Sequence, residues 1–193
     1  MSNPYSNTIL KAPILLHPRQ MNNNIYINLK QNLENELVDK CYKNYGYICK
    51  IIKIINFDEG RIEAENVEAS ARFNVEFSCK LCLPIENTTI VATIENINPL
   101  LITAINGPIT IVITNDRINN NIFFKDNNNN IRYEKEKKSL LLKKGDHIKV
   151  TILNIQFYHG HQGISAIGYL ENIPSEKEIE ESYTNQYKIN DSE

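Results

Sequence analysis

Tryptophan is absent from these 193 residues, and glycine occurs only seven times. So few glycines leave little room for a phosphate-cradling loop, whose backbone must approach its ligand closely. No apolar run nears the ~20 residues that a helix needs to cross a bilayer, so no membrane association is expected. The first residues are polar and include Pro4, so a secretory leader is not expected either. Clustered carboxylates and a nucleophile beside a base are also missing, which leaves no positive reason to read the chain as an enzyme. Net charge is small, formally −2 at pH 7. No global field therefore draws in nucleic acid, and any attraction must come from local patches.

Cysteine is sparse: Cys41, Cys49, Cys79 and Cys82. Without a leader a reducing, intracellular location is expected, and disulfides are not. Cys79-Lys80-Leu81-Cys82 has CxxC spacing, but a zinc site needs two such pairs or added histidines. This pair sits on an alternating strand that sends its thiols to opposite faces. Buried free thiols are expected instead, with no metal and no cofactor. His17 precedes Pro18 and reads as a structural residue at a strand end. His159 and His161 flank Gly160 without an acidic partner, as in an exposed hairpin tip that could touch a phosphate or base.

Asparagine and isoleucine, by contrast, are over-used. That bias fits an AT-rich coding genome, such as that of a protist or a large DNA virus.

The isoleucines and leucines fall into patterns. Residues 9–16 (ILKAPILL) read as a strand whose proline is tolerable at an edge. Asn22 to Asn24 are suited to capping a helix. Ile25, Leu29, Leu33 and Leu37 then recur every four residues, with Lys30 and Glu34 paired on the opposite face. Burying those four side chains would stabilise the fold by roughly 1.5–3 kcal/mol each. After Gly46, YICKIIKII reads as a central strand, and Phe57-Asp58-Glu59-Gly60 as a turn. Phe73, Val75, Phe77, Cys79 and Leu81 alternate with polar residues, the clearest period of two in the chain. One helix on a small antiparallel sheet accounts for residues 9–83.

Beyond a junction at Pro84 to Asn87 the pattern becomes five short strands, which favours a closed OB-type barrel over residues 84–173. An insertion at about residues 119–144, containing Asn127 to Asn130, reads as a mobile, low-complexity stretch. Residues 174–193 are acidic and lack a core pattern, which predicts a disordered tail or a loosely attached helix. Residues 125–149 carry eight Lys/Arg against four Asp/Glu, and residues 171–193 seven Asp/Glu against two Lys. The basic segment mixes cations with rings, as single-stranded nucleic-acid binders do. Its candidates for RNA contact are Arg117, Phe123, Phe124, Lys125, Arg132, Tyr133, Lys135, Lys137 and Lys138, joined by His159 and His161. A solvated surface loop is the competing reading.

The order Leu16-His17-Pro18, Cys41, Tyr45-Gly46-Tyr47-Ile48, Gly60-Arg61-Ile62, Ala71-Arg72-Phe73-Asn74-Val75-Glu76-Phe77 and Pro84 resembles a known family. It is that of the N-terminal domain of the stalk subunit of multisubunit DNA-directed RNA polymerase, which includes the seventh subunit of eukaryotic polymerase II and its archaeal counterpart. Gly145 to Val150 and Ile164 to Gly168 resemble strands of the S1-like barrel that follows in that family. The resemblance implies an α+β tip domain ahead of a five-stranded barrel. It also implies a non-catalytic role: docking on the polymerase core near the clamp and contact with nascent single-stranded RNA. The implied partners are the large and small core subunits, with a second, smaller stalk protein as a further candidate. The docking positions it implies are Tyr45, Gly46 and Tyr47, and the loop Phe57, Asp58, Glu59, Gly60 and Arg61. One departure stands out: strong RNA-binding S1 domains carry stacking aromatics on the second and third strands. Here those regions read Asn98-Pro99-Leu100-Leu101-Ile102 and Ile109-Thr110-Ile111-Val112. RNA contact would then rest on charge, and be weak and salt-sensitive. A free-standing OB-fold RNA-binding protein is the alternative reading.

Overall fold

The computed structural model describes residues 2–62, 64, 67–98, 100–126, 131–135 and 138–187. The chain forms two compact units. One comprises residues 6–82 with 158–162, and the other the rest of the described chain.

The first unit is a five-stranded sheet with one helix. Its elements are β1 (Tyr5–Leu16), α1 (Ile25–Leu37), β2 (Lys40–Tyr42), β3 (Gly46–Phe57), β4 (Arg61–Ile62) and β5 (Ala71–Cys82). The strand order is β1-β5-β3-β2, with the short β4 paired to β5. Leu29, Leu33 and Leu37 are buried as their spacing predicts, against Leu10, Ala12, Ile14 and Leu16 of β1 and the inner row of β5. Lys30 and Glu34 form their i,i+4 pair at 3.8 Å.

The start of α1 differs from expectation. Asn24 makes no side-chain cap, because its backbone (φ −101°, ψ 27°) is not in the extended conformation of a capping residue. The asparagines tie the preceding loop together instead. Asn24 N–H donates to Asn22 Oδ1, and Asn28 Nδ2 donates to the Gln20 carbonyl at 2.7 Å. At the other end Lys40 Nζ donates to the carbonyls of Asn35 and Glu36, a cation placed at the negative pole of the helix.

Strand β3 departs from a period of two. Its core residues are Ile48, Ile51 and Ile54, three apart. The register against β5 slips once between each of Ile48/Lys50, Ile51/Lys53 and Ile54/Asn56. Cys49, Ile52 and Ile55 are thus extra residues, and β5 opposite them has none, alternating in burial up to Ser78 and buried throughout from Cys79 to Cys82. Three bulges in one strand concentrate twist in it.

The second unit holds β6 (Thr89–Ile97), β7 (Leu101–Asn106), β8 (Ile109–Thr114), β9 (Phe123–Lys125), β10 (Ile131–Lys135), β11 (Lys138–Leu141), β12 (His147–Gln156), β13 (Ile164–Asn172) and α2 (Glu176–Tyr187). Five of these strands close a barrel in the order β12-β13-β8-β7-β6. All its ladders are antiparallel except β8 with β13. A meander of three strands, a parallel third-to-fifth pair and closure of the first on the fourth is the OB-type arrangement. Gly168 is required inside it. A Cβ there would lie 2.3 Å from Val150 Cγ1 and 2.8 Å from Ile111 Cγ2.

The insertion is not a featureless loop in its described part. β11-β10-β9 form their own antiparallel sheet. Beyond Pro174, where the sequence offers no core pattern, α2 is formed. Ser175 N–H and Oγ both donate to Glu178 Oε2, at 2.8 and 3.0 Å, which fastens its first turn.

Candidate functional site

The docking candidates divide between the two ends of β3. Gly46 opens the strand with φ 123°, a backbone conformation that disfavours any side chain. It is buried, and pairs with Tyr42. Tyr45 is exposed and stacks on Tyr42 with centroids 6.0 Å apart. Tyr47 is half-buried, and its hydroxyl donates to Asp39 Oδ1 at 3.3 Å. Burial, reinforced by the Asp39 charge, pushes the Tyr47 phenol up to about 12.

Phe57 to Arg61 lie at the far end, about 12 residues or ~35–40 Å of extended chain away. The two groups of candidates are therefore not one patch. Phe57 packs edge-on against Phe73 at 6.3 Å. Asp58 holds the loop closed. Its Oδ1 accepts from the Asn74 backbone N–H at 2.7 Å and its Oδ2 from Asn74 Nδ2 at 2.6 Å, while Asp58 N–H donates to the Asn74 carbonyl. These hydrogen bonds keep the carboxyl below its ordinary range. Gly60 lets the loop cross the ring of Phe73, since a Cβ there would come within 2.3 Å of it. Asp58 and Gly60 thus shape the loop, and Glu59, Arg61 and Ile62 are what it presents to solvent.

His17 and the paired histidines also find places in this unit. His17 Nδ1 lies 3.0 Å from the hydroxyl of buried Ser70. The tip holding His159 and His161 is exposed but not loose. Cys41 N–H donates to the His161 carbonyl at 2.7 Å, and Gly160 N–H donates to the Cys41 carbonyl at 2.8 Å. The His159 ring stands edge-on to Tyr42, and its Nδ1 accepts from Lys43 N–H. His161 stands edge-on to Tyr158. Cys79 and Cys82 are both buried, as thiols rather than a disulfide. Among the described residues no three His, Cys, Asp or Glu side chains converge.

The RNA candidates of the insertion separate by sheet face. Phe123 is buried, 6.1 Å from Tyr133, so its ring cannot stack on a base. Tyr133 shares that face and is half-buried, its phenol raised chiefly by burial. Phe124 and Arg132 are opposite each other in the register and belong to the other face. Phe124 is 41% exposed. Arg132 Nε donates to Asp126 Oδ2 at 3.0 Å, which holds the guanidinium on that carboxylate. Lys125 is exposed, and Arg117 pairs loosely with Asp116 at 3.9 Å. Lys137 lies outside the described residues; Lys135 and Lys138 are opposite each other by backbone register, where β10 leads into β11. The structure therefore joins Phe124 to Arg132, and it leaves Phe123 out of any exposed surface.

No motif announces the contact between α2 and the barrel. Lys149 Nζ and Glu178 Oε1 are 2.5 Å apart. The only available signal was the opposed charge of two segments far apart in the chain.

The described residues thus form the class of a helix-backed sheet followed by an OB-type barrel with an insertion before its fourth strand. A family model described as the SHS2 domain found in the N terminus of Rpb7p/Rpc25p/MJ0397 matches residues 14–66. The chain is 33% identical over 181 residues to a putative DNA-directed RNA polymerase subunit of Acanthamoeba polyphaga mimivirus, covering 94% of this chain and 88% of that protein. It is 22% identical over 145 residues to DNA-directed RNA polymerase II subunit RPB7 of Glycine max, covering 75% and 81% of the two. The corresponding figures for subunit rpb7 of Dictyostelium discoideum are 22% over 145 residues, 74% and 82%. The chain belongs to the Rpb7-like family of DNA-directed RNA polymerase stalk subunits.

Proposed function

We propose that this chain is a non-catalytic stalk subunit. It docks on the polymerase core near the clamp, in association with the large and small core subunits, and offers a basic surface to nascent single-stranded RNA. Polymerisation falls to the large subunits, and a second, smaller stalk protein is a further candidate partner. The work site is intracellular: the nucleus, or a cytoplasmic viral factory or virion. The observation that carries the reading is similarity to a viral polymerase subunit along 94% of the chain, through both compact units.

Docking is assigned to the loop end of β3. There Asp58 and Gly60 hold a shaped projection, and Glu59, Arg61 and Ile62 supply charge of both signs beside an apolar side chain. Tyr45 at the other end forms a separate, second contact. RNA contact is assigned to the Phe124–Arg132 face, together with Lys125, which lies opposite Ile131 at the strand end and is exposed. A phosphate must compete with Asp126 for Arg132, so binding is weak and falls with salt.

The test is a tagged full-length chain, recovered from cells that make it, with mass identification of what copurifies. Large polymerase subunits are expected in stoichiometric amount. Recovery of the chain without them overturns the reading in favour of a free-standing RNA-binding protein.

A further inference from the structure

Helix α2 lies on the barrel. Residues of β6 and β12 that point outward line up in register: Thr93 beside His147 and Val91 beside Lys149. Ile105 of β7 extends the first row. Over these rows α2 places Glu178 against Lys149 at 2.5 Å. It places the Tyr183 ring edge-on to the His147 imidazole, 5.7 Å between centroids, with the hydroxyl 3.5 Å from Nε2. The other imidazole nitrogen, Nδ1, is 3.1 Å from Thr93 Oγ1.

The barrel face beneath offers cations to an anion. Lys149 and His147 follow the exposed Lys143 and Lys144, with Gly145 and Asp146 between them, and the Glu171 carboxylate lies beyond, accepting from Thr89 and Thr151. The helix is the complement: it carries Glu176, Glu178, Glu180 and Glu181 against the single Lys177. To this face it presents the two groups that a nucleotide has, a negative charge for the lysine and a flat ring for the imidazole.

The attachment is weak by construction. A 12-residue helix is marginal in water by itself, so α2 depends on docking to stay folded. Among the described residues its apolar anchorage comes from Ile179 and Tyr183. A recess of about 220 Å³ remains under Ile179 and Tyr183, lined also by Val91, Ile105 and His147. The nearest other tie, Asn106 Nδ2 to Ser182 Oγ, is long at 3.4 Å.

We propose that α2 is a displaceable acidic cover over a second RNA-binding face of the barrel, centred on Lys149 and His147, and that single-stranded RNA competes with it. This rests on the reading of the chain as an RNA-contacting subunit, and it deepens that reading by naming a second site and what controls access to it. Apparent affinity at such a site is the intrinsic affinity reduced by the open fraction.

The test uses the full chain and a 12-nucleotide oligouridylate, with binding followed by fluorescence anisotropy at low salt. Ser182→Pro breaks α2 without changing net charge. It should tighten binding about five-fold or more, which would mean that no more than about one-fifth of wild-type molecules are open. Adding Lys149→Ala should remove the gain. Glu178→Gln with Tyr183→Ala, which keeps the helix but removes its two grips, should reproduce the gain. Unchanged or weaker binding by both α2 variants overturns the cover, as does a gain that survives Lys149→Ala. Lys125→Ala with Arg132→Ala separates the two ideas. If that pair weakens binding while Ser182→Pro does nothing, the cover alone fails. If it changes nothing while Ser182→Pro still tightens binding, the insertion loses its role and the cover stands.

Discussion

Two glycines and one carboxylate show how single positions set this structure. Gly168 sits where Val150 and Ile111 close over the backbone, so Gly168→Ala must push barrel side chains aside. Overpacking of this kind costs about 1–3 kcal/mol. A urea midpoint lowered accordingly, with an unchanged slope, is expected, and an unaltered midpoint would show that the barrel yields. Gly46 is buried with φ 123°, so Gly46→Arg would strain the fold and could not isolate docking. Tyr45→Ala removes an exposed ring instead and leaves the backbone alone. At Glu178, the Lys149 ammonium and then the Ser175 N–H hold the carboxyl down at about 2, from an ordinary 4.5. A depressed carboxyl contributes in full above its unfolded value and loses that contribution as pH falls through the folded one. The tie between α2 and the barrel should therefore persist from neutral pH to about 4.5 and vanish towards pH 2. Carboxyl NMR titration of Glu178 checks this, and Lys149→Ala should move the midpoint up towards 4.5.

At the scale of elements, β3 is the informative strand. Each bulge adds one residue between core positions, so removing one bulge residue leaves the next core side chain on its own face. Deleting Ile52 should give a folded protein with a modestly lower melting temperature. Deleting Ile52 and Lys53 together sets Ile51 beside Ile54 and turns one of them outward, which should abolish folding. Equal circular-dichroism melts for the two deletions would contradict the register. The same strand marks where sequence reading stops. β5 is legible because it alternates without interruption, and α1 because four aliphatic residues recur at helical spacing. The bulges of β3 are not legible, since Cys49, Ile52 and Ile55 are ordinary apolar residues and no turn chemistry announces them. The insertion hides for another reason: its strands of three to five residues are too short to show a period. Phe123 and Phe124 look alike in sequence, and only the pairing of β9 with β10 sends one inward and the other out. Helix α2 has little apolar content, so its place was set by a charge partner that sequence order does not bring near.

For the whole molecule, the two surfaces should fail independently. Arg61→Glu alters an exposed loop side chain and should reduce copurification of large polymerase subunits several-fold, with the melting temperature within a degree or two of wild type. Retained copurification would remove the loop from the docking surface. Lys125→Ala with Arg132→Ala should leave copurification intact and flatten the dependence of RNA affinity on salt. Loss of two phosphate contacts on a single strand should lower the log–log slope by about 1.4. A slope that does not change would mean that these cations never met the backbone.

The barrel closes through β6 with β12 and β8 with β13, and no strand of the β9–β11 sheet belongs to its wall. The β9–β11 sheet therefore amounts to an exchangeable cassette, while Ile118 and Asn119 ahead of it and Gly145 and Asp146 behind it stay tied to the barrel wall. Two related chains could share the same cylinder and still present different surfaces, simply by carrying different cassettes at that one joint.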